Sequence, residues 1–343
     1  MSFPLQRYKA ILSLGFPILV GQLGMIVVGF ADTTMVGHYS TNALAAASFV
    51  NNLFNVAILA CLGMTMGITP LAGALYSRKQ YGRVGELIRN AVPVNLLFTL
   101  LLMGVMAVVY LNLHRLGQPE ELLPIIRPYF IIYLVGMLPV IGFNVWAQWS
   151  YAINRTRMPM WIILGCNALN IFGNYLLIYG NWGFPELGLT GAGIATLVSR
   201  VVSAVVIISI FFVRKEYKEY ARGFLTSAFR WPVIRRVTNT SWPVALQMTF
   251  ESGSFTAAAV MVGWIGAVEL ASFQVIVITG TLGFCVYYSM AAAVAVIVSN
   301  DAGLGNRRGM RETAFSGYHI LLALAVMASL FFIFGSHLLI RFF

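Results

Sequence analysis

Residues 17–37 read PILVGQLGMIVVGFADTTMVG, and residues 243–263 read PVALQMTFESGSFTAAAVMVG. Both are apolar runs that open on a proline and close on a glycine. A shift of 226 positions superposes them, and seven identical residues then fall between Pro17 and Ser48. Each run is followed by a second apolar run and a basic loop, a repeat pattern typical of membrane proteins built from two halves. We therefore expect two parallel halves, of which the second is incomplete here.

The composition indicates a membrane protein. Hydrophobic residues make up 59% of the 343 residues and charged residues 10%, against roughly 25% charged in a soluble domain. Most of the surface must therefore face lipid, and apolar stretches of about 20 residues are long enough to cross it as helices. The sequence predicts an all-α polytopic membrane protein with nine spans, near 10–37, 44–75, 88–111, 125–150, 160–180, 190–213, 239–264, 270–299 and 315–340.

The distribution of basic residues predicts the orientation. Lys and Arg accumulate in cytoplasmic loops, and eighteen of the 22 fall on one side of the membrane if the N-terminus is cytoplasmic. The net charge of +11 then reflects topology and attraction to anionic lipid headgroups. We expect membrane lipids as partners and no nucleic acid.

The domain organisation follows from the longest cytoplasmic connection. Residues 214–236 hold seven basic and two acidic residues and join span six to span seven. We predict an N-terminal lobe at 1–213, an inter-lobe linker at 214–236 and a partial C-terminal lobe at 237–343. Counterparts of 125–213 are expected beyond residue 343, so we expect the protein to be truncated at its C-terminus.

Motifs for enzyme chemistry are missing from the sequence. It contains no phosphate-binding loop, no nucleophile elbow and no HExxH motif. Its three cysteines lie within predicted spans, so we expect no disulfide, and its four histidines are scattered at span ends, which offers no metal site. We expect no enzyme, no cofactor and an energy source other than ATP.

Two carboxylates lie within predicted spans. Glu251 is near the middle of span seven and Asp32 is in the outer half of span one. A charge at membrane depth costs about 3 kcal/mol or more and marks a functional site by default. The alternatives are that Glu251 is protonated and bonds across helices, and that Asp32 reaches the headgroups or the backbone. In the repeat alignment Asp32 matches Ala258, two helical turns after Glu251, so both carboxylates come from nearly equivalent faces.

Span five adds a stripe of amides, Asn167, Asn170 and Asn174, spaced three and four residues apart. Such stripes either hold membrane helices together or bind a ligand, and both interpretations stay open. Asn174 lies at a depth similar to Asp32 and to Thr196 of span six, and these oxygen ligands suit a small cation. Arg200, one turn further in, is either a counter-charge or part of a structural pair.

Several motifs together carry a family resemblance. They are ADTTMVG at 31–37, ALAAA at 43–47, NIFGNYLLIYG at 170–180, PELGLTGAGIAT at 185–196, the segment 243–255 and the pair Phe273-Gln274. The protein resembles the multidrug and toxic compound extrusion (MATE) transporters, in particular their NorM-like bacterial branch.

The resemblance implies two six-helix lobes around a central cavity, with nine of the twelve transmembrane helices present here. It also implies that Glu251 is the acidic residue of the C-terminal lobe, while the span-ten aspartate and tyrosine that complete this site in the family are absent. Phe255 and Gln274 match cavity-lining positions. The implied cation or proton site of the N-terminal lobe consists of Asp32, Asn170, Asn174 and Thr196.

The predicted function is a cation-coupled multidrug efflux antiporter of the bacterial cytoplasmic membrane. Na⁺ or H⁺ would enter down its gradient and drive export of organic, often cationic compounds, because ion and substrate compete for one carboxylate. We expect a monomer. An adaptable cavity surface is expected from Met25, Phe30, Met35, Phe255 and Gln274, although core packing is the commoner role of each Met and Phe taken alone.

Two alternative functions fit the sequence less well. A flippase for lipid-linked saccharides has a related architecture but would need a strongly cationic cavity, and Arg200 is the only basic residue clearly inside a predicted span. A membrane-embedded enzyme would need a nucleophile, metal or cofactor motif. Lowered accumulation of ethidium in cells expressing the full-length protein would discriminate between these functions.

Overall fold

The fold is helical throughout the part of the protein that the computed structural model describes. This part is residues 5–117 and 119–334, without the side chains at 260, 267, 268, 270, 271, 274, 275, 331 and 332. It contains no strand. Its α-helices are α1 Leu5–Tyr39, α2 Thr41–Met66, α3 Ile68–Ser77, α4 Tyr81–Leu111, α5 Leu123–Ala152, α6 Arg157–Tyr179, α7 Gly188–Val213, α8 Lys218–Thr226, α9 Trp231–Gly263, α10 Ala267–Gly303 and α11 Arg307–Phe334.

The predicted number of spans needs a correction. In the described residues, eight helical segments are long and apolar enough to cross a membrane, not nine. The exception is the predicted span at 239–264, which lies within α9. This helix is 33 residues long, but Gln247, Thr249 and Glu251 lower its mean hydropathy. The all-helical, polytopic architecture itself is confirmed.

The predicted span at 44–75 corresponds to one candidate membrane-spanning segment, Thr41–Ser77, which is divided into two helices. Ser40 begins α2, where its Oγ accepts a hydrogen bond from the Ala43 N–H at 3.4 Å. The helix stops at Gly67, and α3 starts at Ile68. Pro70 lacks an N–H, so it cannot continue the α2 hydrogen-bond ladder. Gly67 keeps right-handed helical backbone angles, φ −63° and ψ −14°, so the interruption stays within one apolar segment.

The largest core lies among the helices of the predicted N-terminal lobe. Phe54 of α2 packs against Phe130 of α5 with ring centroids 4.7 Å apart. Trp149 is fully buried near the end of α5 and contacts Phe211 of α7 and Tyr217, at 4.8 Å and 4.9 Å. These aromatic contacts fix α5 between α2 and α7, the position from which it also approaches the candidate site.

The predicted linker at 214–236 is folded against α4. Its helix α8 runs so close to α4 that Gly85 lies against the Tyr220 carbonyl and Gly223 against the Gly82 carbonyl. Arg89 of α4 donates to the Phe224 carbonyl at 2.8 Å. Helix α9 begins at Trp231, inside the predicted linker. The division into two lobes stays a prediction.

Helices α9 and α10 approach α1–α3 closely at one end of the bundle, which we call the packed end. Gly63 of α2 lies against Ala245 of α9, where an added Cβ would stand 2.7 Å from the Ala245 Cα. Gly15, Gly67 and Gly73 make similarly close approaches, to Met290, Ser241 and Ser299 respectively. Small residues at such crossings allow close van der Waals packing in lipid. Toward the other end, an added Cβ on Gly29, Gly253 or Gly280 would meet no atom of the described residues within 4 Å.

A buried ion pair also joins the helices at the packed end. Asp301, at the end of α10, is 7% exposed, and its Oδ2 lies 2.9 Å from Arg7 Nη1 of α1. Asn306 Nδ2 and Thr313 Oγ1 complete its hydrogen bonds at 3.3 Å and 3.4 Å. The sequence places Asp301 correctly at a span end, but local patterns could not reveal a partner 294 positions away.

Gly67, the residue that follows α2, lies against Ser241 of α9. An alanine at Gly67 would place its Cβ against Ser241 Oγ and 2.8 Å from the Ser241 Cα, so the helices must move apart. We expect Gly67→Ala to destabilise the fold by about 1–3 kcal/mol, as overpacking does, and to lower the thermal unfolding midpoint in detergent. Gly253→Ala is the matched control, because alanine there has open space and stabilises a helix. Equal midpoints for both variants would contradict the close contact.

Candidate functional site

Four of the predicted site residues meet in the structure. Asp32 of α1 accepts a hydrogen bond at Oδ1 from Asn174 Nδ2 of α6. With the Asn170 amide oriented so that both of its polar atoms have partners, its Nδ2 donates to Asp32 Oδ1 at 2.8 Å. Its oxygen then accepts from Thr196 Oγ1 of α7 at 3.1 Å. We call Asp32, Asn170, Asn174 and Thr196 the Asp32 cluster.

The hairpin between α6 and α7 aligns the cluster. Gly180 ends α6 with φ +68° and Gly188 starts α7 with φ +53°, values that favour glycine. The two helices then run so close that an added Cβ on Gly173 would stand 3.0 Å from Ala195 Cβ. Because Gly173 and Ala195 adjoin Asn174 and Thr196 in sequence, this contact brings the amides and the hydroxyl to one level.

Two contacts hold α1 against α6 on either side of the cluster. Tyr179 donates from its hydroxyl to the Met35 carbonyl at 2.8 Å, one turn beyond Asp32. Further along the pair, an added Cβ on Gly24 would stand 3.0 Å from Asn167 Nδ2. The amide stripe holds helices together in this structure, and ligand binding by it stays a prediction. Asn167 packs between helices, while Asn170 and Asn174 bind the carboxylate.

The amides of the cluster are buried, Asp32 and Thr196 are half-buried, and the cluster has excess acceptor capacity. Asn174 is fully buried and Asn170 is 3% exposed. The Asn174 oxygen, Oδ1, has no hydrogen-bond partner among the described residues. The donors that reach the Asp32 carboxylate are neutral amides, and no ion pair to it is present in the described part of the protein. An uncompensated carboxylate beside an unpartnered amide oxygen is suited chemically to a proton or a small cation.

Arg200 lies beside the cluster, four residues after Thr196 on α7. Its guanidinium carbon is 4.8 Å from the ring centroid of Tyr133 on α5. The Tyr129 and Tyr133 rings are themselves 4.8 Å apart. Gly136 leaves room for the guanidinium, since an added Cβ would stand 3.1 Å from Nη1. The two tyrosines were missed by the sequence reasoning; their spacing of four on span 125–150 was the available signal.

The aromatic contact does not fully compensate the Arg200 charge. An arginine at the centre of a span costs about 2.5–3.5 kcal/mol, whereas a cation–π contact returns about 0.5–2 kcal/mol. Arg200 forms no ion pair with the described residues. Arg200 and Asp32 are therefore two neighbouring charges that their surroundings compensate only in part.

The structure does not bring Glu251 into the Asp32 cluster. Glu251 lies half-buried on α9, and no ion pair to it is present among the described residues. Phe255, one turn further along α9, is exposed. Glu251 thus stands as a separate acidic position on another helix.

The other predicted cavity residues have different surroundings. Met25 and Phe30 of α1 are exposed, with Phe30 at 72%. Met35 packs against the large core. The Gln274 side chain lies outside the described part of the structure. A role for these residues in a cavity stays a prediction.

Comparison with known proteins identifies the family. Residues 17–176 and 243–343 match the MatE family model. The probable multidrug resistance protein NorM of Bradyrhizobium diazoefficiens is 26% identical over 332 residues, covering 97% of this chain and 71% of that protein. The protein of the same name from Bacillus anthracis is 28% identical over 336 residues, with coverages of 95% and 72%.

A solved structure shows the same fold. The Vibrio cholerae MATE transporter VcmN superposes with a TM-score of 0.84 at 16% sequence identity, covering 97% of this chain and 75% of that one. The family match includes the α1 and α6 residues of the Asp32 cluster and Glu251 of α9. This multi-pass membrane protein belongs to the MatE family, whose members are transporters rather than enzymes.

Proposed function

We propose that the protein is a cation-coupled multidrug efflux antiporter. Na⁺ or H⁺ entering the cell drives the export of organic, often cationic compounds. The protein works as a monomer in the bacterial cytoplasmic membrane, with a cytoplasmic N-terminus and no cofactor. The multidrug resistance proteins named NorM to which it is similar support the substrate class.

One observation carries the proposed coupling. The Asp32 carboxylate is held by neutral amides, and the buried Asn174 oxygen beside it is unpartnered among the described residues. Charged groups at membrane depth are expensive, and they mark ion pathways and proton relays. A bound proton or cation would neutralise Asp32 and use the spare oxygen, so the cluster favours the occupied state.

The coupling can be derived from this site. An ion that binds at Asp32 shifts the equilibrium toward whichever conformation binds it better, and substrate release is linked to that shift. Ion binding changes the net charge at Asp32, which lies on α1. The same helix packs against α6 at the cluster and against α10 at Gly15. Helix α1 therefore connects the ion site with the packed end.

Dye transport in vesicles tests this function. The purified full-length protein is reconstituted in liposomes loaded with ethidium, and an inward or outward gradient of Na⁺ or H⁺ is imposed. We expect dye movement opposite in direction to the ion, and faster movement with a steeper ion gradient. A rate of dye movement that does not change with either gradient would exclude ion coupling. Movement of a lipid-linked saccharide instead of the dye would favour a flippase.

A further inference from the structure

Arg200 is a charged group that the proposed coupling does not use. It lies on α7 within a membrane-spanning helix, and its contact with Tyr133 compensates its charge only in part. Arginine stays charged in proteins. A partly compensated arginine at this depth therefore favours any conformation that supplies an anion.

Asp32 is the carboxylate that hydrogen bonds link to the α7 face carrying Arg200. Arg200 lies one helical turn from Thr196, whose hydroxyl is linked through Asn170 to the Asp32 carboxylate. Helices α1 and α7 are in direct contact, and Arg200 lies on the same face of α7 as Thr196. Among the other described carboxylates of α1–α7, Glu86 is engaged by Arg230 at 3.1 Å. Arginine has a long, flexible stem, so a guanidinium that leaves the Tyr133 ring can turn toward the cluster one helical turn away.

We propose that Arg200 is an internal competitor for the coupling ion, which alternates between the Tyr133 ring and the Asp32 carboxylate. When Arg200 rests on Tyr133, the cluster accepts an ion. When Arg200 turns to Asp32, it expels that ion and prevents it from rebinding. Arg200 thereby sets the ion concentration at which the cluster fills. This inference rests on the proposed function in one respect, namely that Asp32 is the ion site.

Two substitutions have opposite expected effects on Na⁺ binding to the purified full-length protein. Arg200→Gln removes the competitor, so we expect the apparent Kd for Na⁺ to fall by about tenfold, the effect of one unit charge at moderate distance in a partly screened site. Tyr133→Leu removes the resting place of Arg200, so we expect weaker Na⁺ binding, by about threefold or more. Isothermal titration calorimetry measures both constants, and thermal unfolding checks that each variant is folded.

Conservative and double variants separate this role from a structural one. Arg200→Lys keeps the charge and should reverse most of the change seen with Arg200→Gln. The double variant Asp32→Asn with Arg200→Gln should bind Na⁺ no better than Asp32→Asn alone, since the competition requires the carboxylate. Weaker or unchanged Na⁺ binding in Arg200→Gln, or an equal gain in the double variant, would overturn the proposal.

The two proposals fail in different experiments. Vesicles of the wild-type protein that show no ion-driven dye transport would refute the antiport function, whereas the Na⁺ titrations assess Arg200 without any transport step. If neither the wild-type protein nor Arg200→Gln binds Na⁺, the competitor role is refuted. If Arg200→Gln binds Na⁺ tightly and the wild-type protein does not, the role is supported even where H⁺ drives transport.

Discussion

Replacing Asp32 by asparagine in the full-length protein is expected to lower ion-driven ethidium export by about 100-fold or more. Hydrogen bonds and contacts to a charged group are worth about 1.5–3 kcal/mol each, and a loss of about 2.7 kcal/mol is 100-fold in an equilibrium constant. The substitution removes the charge but keeps an oxygen that can accept from Asn170 and Asn174. The fold should therefore survive. Dye efflux at matched expression, with the unfolding midpoint beside it, measures both effects.

Asn167→Ala is a matched control for this experiment. Asn167 lies on the same stripe of α6, but its Nδ2 atom is buried without a hydrogen-bond partner in the described part of the protein. Its removal costs no hydrogen bond and can relieve a desolvation penalty. We expect this variant to export dye normally. Normal export by Asp32→Asn, or equal loss in both variants, would reduce the Asp32 cluster to a structural element.

The second large effect is expected at Glu251. Glu251→Gln keeps the side-chain shape and removes the negative charge. No described residue forms an ion pair with Glu251. We expect ion-driven export to fall by about 100-fold, because the variant lacks the Glu251 carboxylate, for which ion and cationic substrate can compete. Binding of an uncharged aromatic compound should persist, since apolar contacts do not depend on this charge.

Two measurements on one preparation separate these effects. Equilibrium binding of an uncharged aromatic dye reports the cavity contacts, and transport under an imposed Na⁺ or H⁺ gradient reports the coupling. Undiminished transport in Glu251→Gln would remove this residue from the mechanism. Loss of both activities at a normal unfolding midpoint would instead assign Glu251 to substrate binding.

The helical class and the approximate spans could be predicted from the sequence because lipid imposes a local rule. Any helix that crosses the membrane needs about 20 apolar residues, and this rule located α7 at 190–213, where the structure has Gly188–Val213. The rule overcounted in one place, and it could not reveal an interruption inside a span. Polar residues lower the hydropathy of α9, and the break at Gly67 lies inside a continuous apolar stretch.

The candidate site was predictable in its members but not in all of its contacts. Depth and helical spacing placed Asp32, Asn174 and Thr196 at one level, and the structure joins them through hydrogen bonds. The same reasoning could not choose between the two roles of Arg200. That choice depends on Tyr133, which lies on a different helix and is separated from Arg200 by the whole of α6.

The sequence by itself therefore determined the helical class of this protein, its approximate spans and the short list of polar residues at membrane depth. These properties depend on hydropathy and on the period of a single helix. Only the tertiary structure decided which helix faces meet, as shown by Gly67 against Ser241, Asp301 with Arg7, and Arg200 on Tyr133. Contacts between distant segments depend on how the helices cross, and neither hydropathy nor periodicity along one helix specifies that crossing.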